Sequence, residues 1–76
     1  QLSVYPNPFV HDFIIRSKQN QKLHFSLNNS LGQFIPFELE KQGNNYRLQP
    51  NDIPKGMYFL QVSDGIEQAS YKLLKR

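Results

Sequence analysis

Cysteine and tryptophan are absent from the 76 residues, and methionine occurs once. No apolar run is long enough to cross a bilayer as a helix. Without cysteine there is no disulfide, no thiolate metal site and no cysteine nucleophile. That absence leaves the compartment open, since many exported domains also lack cysteine. The 76 residues show no basic-then-apolar leader pattern. The first residue is Gln1 rather than methionine, so the expectation is a piece of a longer protein, forming one domain over residues 1–76. Charge of neither sign dominates: nine Lys/Arg against six Asp/Glu leave a net +3. Only Lys72, Lys75 and Arg76 cluster, whereas a nucleic-acid surface carries a denser basic stripe interleaved with aromatics. A solvated basic surface accounts for the pattern, and neither a nucleic-acid partner nor membrane insertion is expected.

Catalytic and metal chemistry are equally sparse. His11 and His24 are the only histidines, and neither has a second ligand at metal-binding spacing. Asp12, Asp52 and Asp64 each sit where a turn or strand start explains them, and no series of carboxylates resembles a calcium loop. None of the serines lies on a strand-to-helix elbow. Asn28-Asn29-Ser30 matches the glycosylation sequon, a pattern that Asn-rich turns satisfy by chance. Non-enzymatic function without a cofactor is the expectation.

Six Phe and four Tyr supply a bulky apolar content. A chain this short buries only roughly 60% of its unfolded surface, so these rings must fill most of the core. Alternation with period two runs along nearly the whole chain. It predicts strands at 2–5, 12–16, 22–28, 33–39, 45–49, 57–63 and 66–75. In the cleanest of them Leu23, Phe25 and Leu27 point inward while Lys22, His24, Ser26 and Asn28 point out. Pro36 demotes the fourth strand to an edge or a bulge. Polar turns are predicted at 17–21, 28–32 and 42–44, with Gly32 able to take positive φ. Asp64-Gly65 is predicted as a two-residue hairpin loop. Seven short strands separated by turn signals imply an all-β fold, a small seven-stranded antiparallel immunoglobulin-like β-sandwich. The Cys and Trp marks of antibody domains are missing, so the architecture alone is implied.

Two prolines one residue apart, in Tyr5-Pro6-Asn7-Pro8-Phe9, cannot occupy a central strand. They stop pairing at Tyr5 and turn the chain toward a new element by His11, as a stiff connector or a rigid exposed epitope. Further on come Leu27 through Gly32-Gln33, then Ile53-Pro54-Lys55-Gly56-Met57-Tyr58, then Lys72-Leu73-Leu74-Lys75-Arg76. Singly these motifs are common; in this order and spacing they resemble the C-terminal sorting domain of type IX secretion cargo, over essentially all of the chain.

That resemblance implies a non-catalytic transport address. Cargo of this kind reaches the periplasm of a Gram-negative bacterium, is carried across the outer membrane by the type IX machinery, and is secreted or held at the cell surface. A sortase-like cysteine peptidase cuts ahead of the domain. Pro6, Pro8, Lys72, Leu73, Leu74, Lys75 and Arg76 are then the expected partner-recognition residues, with Tyr5, Asn7, Gly32, Gly56 and Tyr58 as structural parts of the signal. A terminal strand at a sheet edge would offer open backbone groups for strand addition and for weak self-association. Two other readings compete. An accessory carbohydrate-binding sandwich would need an exposed aromatic row, for which Tyr46, Phe59 and Phe37 are candidates. A spacer module would need a chain that continues beyond it.

Overall fold

The computed structural model describes residues 2–17 and 22–76. The turn expected at 17–21 lies outside them except for Ser17, which closes the second strand. Seven strands follow in order: β1 (Leu2–Tyr5), β2 (Phe13–Ser17), β3 (His24–Asn29), β4 (Phe37–Gln42), β5 (Asn45–Pro50), β6 (Gly56–Ser63) and β7 (Gln68–Lys75). They form a four-stranded sheet, β1-β2-β5-β4, and a three-stranded sheet, β3-β6-β7, antiparallel throughout. This strand order is that of the constant-type immunoglobulin sandwich. The expected fold class is the one observed.

Alternation explains which side chains lie between the sheets. Phe13 and Ile15 of β2, Tyr46 and Leu48 of β5, Leu27 of β3, Tyr58, Leu60 and Val62 of β6, and Leu73 of β7 form one buried cluster. Each sits two residues from the next on its strand, on the inward side of the pleat. Phe9 joins them from outside any strand, fully buried, with its ring edge-on to Phe13 at 5.0 Å between centroids.

Two expected elements fall elsewhere. The fourth strand begins at Phe37 rather than Gln33. Phe34 instead bridges Asn28 of β3, and the Ile35 N–H donates to the Leu27 carbonyl at 2.8 Å. Pro36, without an N–H, stands between the part that pairs with β3 and the part that pairs with β5. The β6–β7 loop is four residues, not two. Ser63 pairs with Gln68, and the Asp64 carboxylate accepts from the N–H groups of Ile66 and Glu67, both at 2.8 Å. The carboxylate satisfies donors that a tighter turn would have returned to the ladder. In the β4–β5 hairpin, by contrast, Gln42 pairs with Asn45 across two residues, and Gly43 takes the positive φ of 63° that its first loop position requires.

Chain crossings and hairpins use different residues. Pro6 and Pro8 lie where the chain leaves the four-stranded sheet for β7, Pro36 where it leaves β3 for β4, Pro50 at the last position of β5, and Pro54 between β5 and β6. Hairpins within one sheet turn on Gly43 and Gly65 instead.

Candidate functional site

The four sequence motifs meet at one end of the three-stranded sheet. β3 ends there at Asn29, β6 begins there at Gly56, and β7 ends there at Lys75. The register pairs Asn29 with Tyr58, Tyr58 with Leu73, and Gly56 with Lys75. Sequence order hides this, because the first and last motifs are separated by most of the chain.

The proline segment reaches this end by switching sheets. Tyr5 pairs with Ile14 of β2, and four residues on Phe9 forms a parallel bridge to Lys75 of β7. Both intervening X–Pro peptide bonds, Tyr5–Pro6 and Asn7–Pro8, are cis. Between the prolines, Asn7 acts as a piece of strand. Its amide Nδ2 donates to the Lys72 carbonyl at 3.1 Å, and its Oδ1 accepts from the Leu74 N–H at 2.9 Å. Phe9 continues the seam: its N–H donates to the Leu74 carbonyl, and its carbonyl accepts from the Arg76 N–H, each at 2.9 Å. The end of β7 is therefore an edge in topology but closed in hydrogen bonding. The expected open edge survives toward its start, at Gln68 and Ser70, where no such partner segment runs among the described residues.

A second asparagine closes the opposite edge of the sheet. Asn29 Oδ1 accepts from the N–H groups of Leu31 and Gln33 at 2.9 and 3.0 Å, and its Nδ2 donates to Gln33 Oε1 at 2.8 Å. Gly32 completes the turn with φ of 82° and donates its N–H to the Asn29 carbonyl. Gln33 to Ile35 then lie against the outer edge of β3.

Tyr58 anchors the site from beneath. Its ring is buried, and its hydroxyl donates to the Pro54 carbonyl at 2.7 Å. A tyrosine near the start of this strand, bonded to the backbone a few residues upstream, is the tyrosine corner of such sandwiches. Gly56, between the two, takes φ of 151°, which side chains rarely adopt.

The remaining expected site residues divide by facing. Lys72, Leu74 and Arg76 are exposed on the outer side of β7, Leu74 at 39%. Leu73, expected among the contact residues, instead faces the core and is buried. Lys75 is half-buried, with Nζ donating to the Arg76 carbonyl at 2.6 Å. Pro6 is exposed, Pro8 half-buried and Tyr5 exposed. Sequence reasoning missed the bridging part of Asn7 and the burial of Phe9. It also missed Phe34 and the row that joins it to the outward Phe59, whose signal was cross-strand register rather than any motif. Among the described residues no group of three His, Cys, Asp or Glu lies close enough to hold a metal ion.

A closed, rigid end displaying side chains suits recognition by another protein, and the family comparison agrees. The secretion system C-terminal sorting domain model matches residues 3–76. The chain belongs to this family. Neither a curated protein nor a solved structure matches it. The sorting domain is thus a C-terminal type IX secretion signal. It interacts with that machinery and directs export across the outer membrane of a Gram-negative bacterium, to the medium or the cell surface. Sorting domains of this family are generally non-catalytic.

Proposed function

We propose that this chain is one domain whose whole function is recognition, without catalysis, and that a sortase-like cysteine peptidase removes it once the cargo has crossed the outer membrane. The observation that supports this reading is the convergence of all four motifs at one end of the three-stranded sheet. Pro6, Pro8, Lys72, Leu74, Lys75 and Arg76 present the signal, and Tyr5, Asn7, Gly32, Gly56, Tyr58 and Leu73 hold its shape. Weak self-association would run through the open start of β7 around Ser70.

The sugar-binding alternative loses two of its three aromatics, because Tyr46 is buried and Phe37 packs against the core. The test is to fuse residues 1–76 behind a periplasm-directed fluorescent reporter in a type IX-competent host. The expected result is reporter at the surface or in the medium, shortened by the domain, and none exported by a translocon-null strain. Reporter held in the periplasm of both strains, with the domain folded and uncut, overturns the proposal.

A further inference from the structure

Strand addition at the signal end is blocked on both edges of the three-stranded sheet, by Asn7 and Phe9 along β7 and by Gln33 to Ile35 along β3. What remains for a partner to touch is the sheet's outer face. Register defines that face: His24, Ser26 and Asn28 on β3, Met57, Phe59, Gln61 and Ser63 on β6, and Gln68, Ser70, Lys72 and Leu74 on β7, followed by Arg76. It carries no carboxylate. All six acidic residues, Asp12, Glu38, Glu40, Asp52, Asp64 and Glu67, lie on the other sheet or in loops.

At the signal end the face becomes apolar and cationic together. Phe34, Asn28, Phe59 and Lys72 form a row across four segments, and Met57 with Leu74 forms the next. Phe34 is 78% exposed, and Leu31, three residues before it in the same turn segment, 81%. Lys72 and Arg76 have no ion pair among the described residues.

We propose that this face, centred on Phe34, Phe59, Leu74, Lys72 and Arg76, is the docking surface for the translocation machinery, and that its occupant is a protein segment carrying carboxylates beside large apolar side chains. The proposal rests on the sorting-signal reading and names the surface that reading leaves unassigned. Charge complementarity selects the occupant. A second copy of the chain would set lysine and arginine against lysine and arginine. Anionic lipid recognition draws on clusters of about 4–8 basic side chains, and this face offers Lys72 and Arg76. Aromatic, methionine and arginine side chains are what protein interfaces enrich.

The test compares three versions of the reporter fusion in one host. Lys72→Glu with Arg76→Glu, and separately Phe34→Ser, change only exposed side chains. Arg16→Glu with Lys41→Glu, on β2 and β4 of the other sheet, makes the same change of net charge away from this face. The expected result is export lowered on the order of tenfold or more by each face variant, with the control pair exported like the parent. A photo-reactive phenylalanine analogue at position 34 is expected to crosslink to an identified type IX component, and one at position 14 is not. If the face variants are exported like the parent, the docking proposal falls while the sorting reading stands. If the parent itself is not exported, the sorting reading falls. If the variants are retained but misfolded by circular dichroism, the crosslinks decide: an adduct from position 34 alone supports the face, and equal adducts from 34 and 14 overturn it. Binding of the purified chain to phosphatidylglycerol vesicles that Lys72→Glu with Arg76→Glu abolishes, without any protein adduct at 34, overturns the proposal in favour of a membrane surface.

Discussion

The outer faces of the two sheets answer their charges in opposite ways. On the four-stranded sheet Arg47 is held at 2.6 Å by Asp12 and at 3.5 Å by Glu40, its direct cross-strand neighbour, and also donates to Gln49. The Asp12 carboxylate, by hydrogen bond and by charge, pushes the Arg47 guanidinium above its ordinary value. On the three-stranded sheet Lys72 and Arg76 have no carboxylate partner among the described residues, and the same face carries exposed Leu74 and, at the far end of the row from Lys72, exposed Phe34. The face around Arg47 answers that charge from within. The other stores unmatched charge and uncovered apolar area together, which a monomer has no internal reason to keep.

That contrast can be broken most severely from below. Tyr58→Ala removes a buried ring and the corner bond, at about 3–5 kcal/mol. A domain of this length has total stability on the order of 5–10 kcal/mol, so the loss takes a large share of it: the melting temperature is expected to fall by roughly 12–40 °C and export to fall as both faces loosen. Melting like the parent would mean that Tyr58 does not anchor the sheet. Next in size is Asn7→Ala, which leaves the Lys72 carbonyl and the Leu74 N–H to water. A loss of roughly 1–2 kcal/mol is expected in urea unfolding, together with concentration-dependent self-association in sedimentation as the edge of β7 opens. An equally monomeric variant would remove Asn7 from edge protection.

Smaller effects sharpen the contrast instead. Arg47→Met dissolves the ion group of the four-stranded sheet, yet exposed pairs contribute little. The expectation is a minor shift in melting and no change in export; loss of export would show that this sheet is read as well. Last comes Asp64, whose carboxyl is held below its ordinary value by the N–H groups of Glu67 and Ile66. A depressed carboxyl adds stability that is complete above the unfolded value of 3.8 and is lost as pH falls through the lower folded one. Amide exchange at Ile66 and Glu67 is expected to quicken in that acidic window and nowhere else, and Asp64→Asn to erase the dependence. Exchange indifferent to pH there, after correction for its intrinsic rate, would discard it.

Much of the fold was legible because apolar residues alternate cleanly in β3, β5 and β6, where one face is core and the other is water. The segment around Pro36 misled for a physical reason. Phe34, Ile35, Phe37 and Leu39 look like one strand, but Phe34 answers to β3 and Phe37 to β5, in different sheets. Local pattern cannot say which sheet an alternating residue joins. The Asp64 loop misled because a side-chain acceptor competed with the ladder for the same donors. At the site, the proline motif and the basic tail were visible singly, while their contact through Asn7 was not. An amide that substitutes for backbone leaves no periodic trace. Nor does the row Phe34–Asn28–Phe59–Lys72, assembled from four separate segments.

The Asn7 bridge spans 65 residues to the Lys72 carbonyl and 67 to the Leu74 N–H. Any label that includes it is conformational, not linear. A peptide copied from the tail carries the letters without the spelling, and a domain still unfolding or half-made displays nothing to read. Dispatch would therefore wait on folding, so that the address doubles as a certificate that the last part of the cargo is finished.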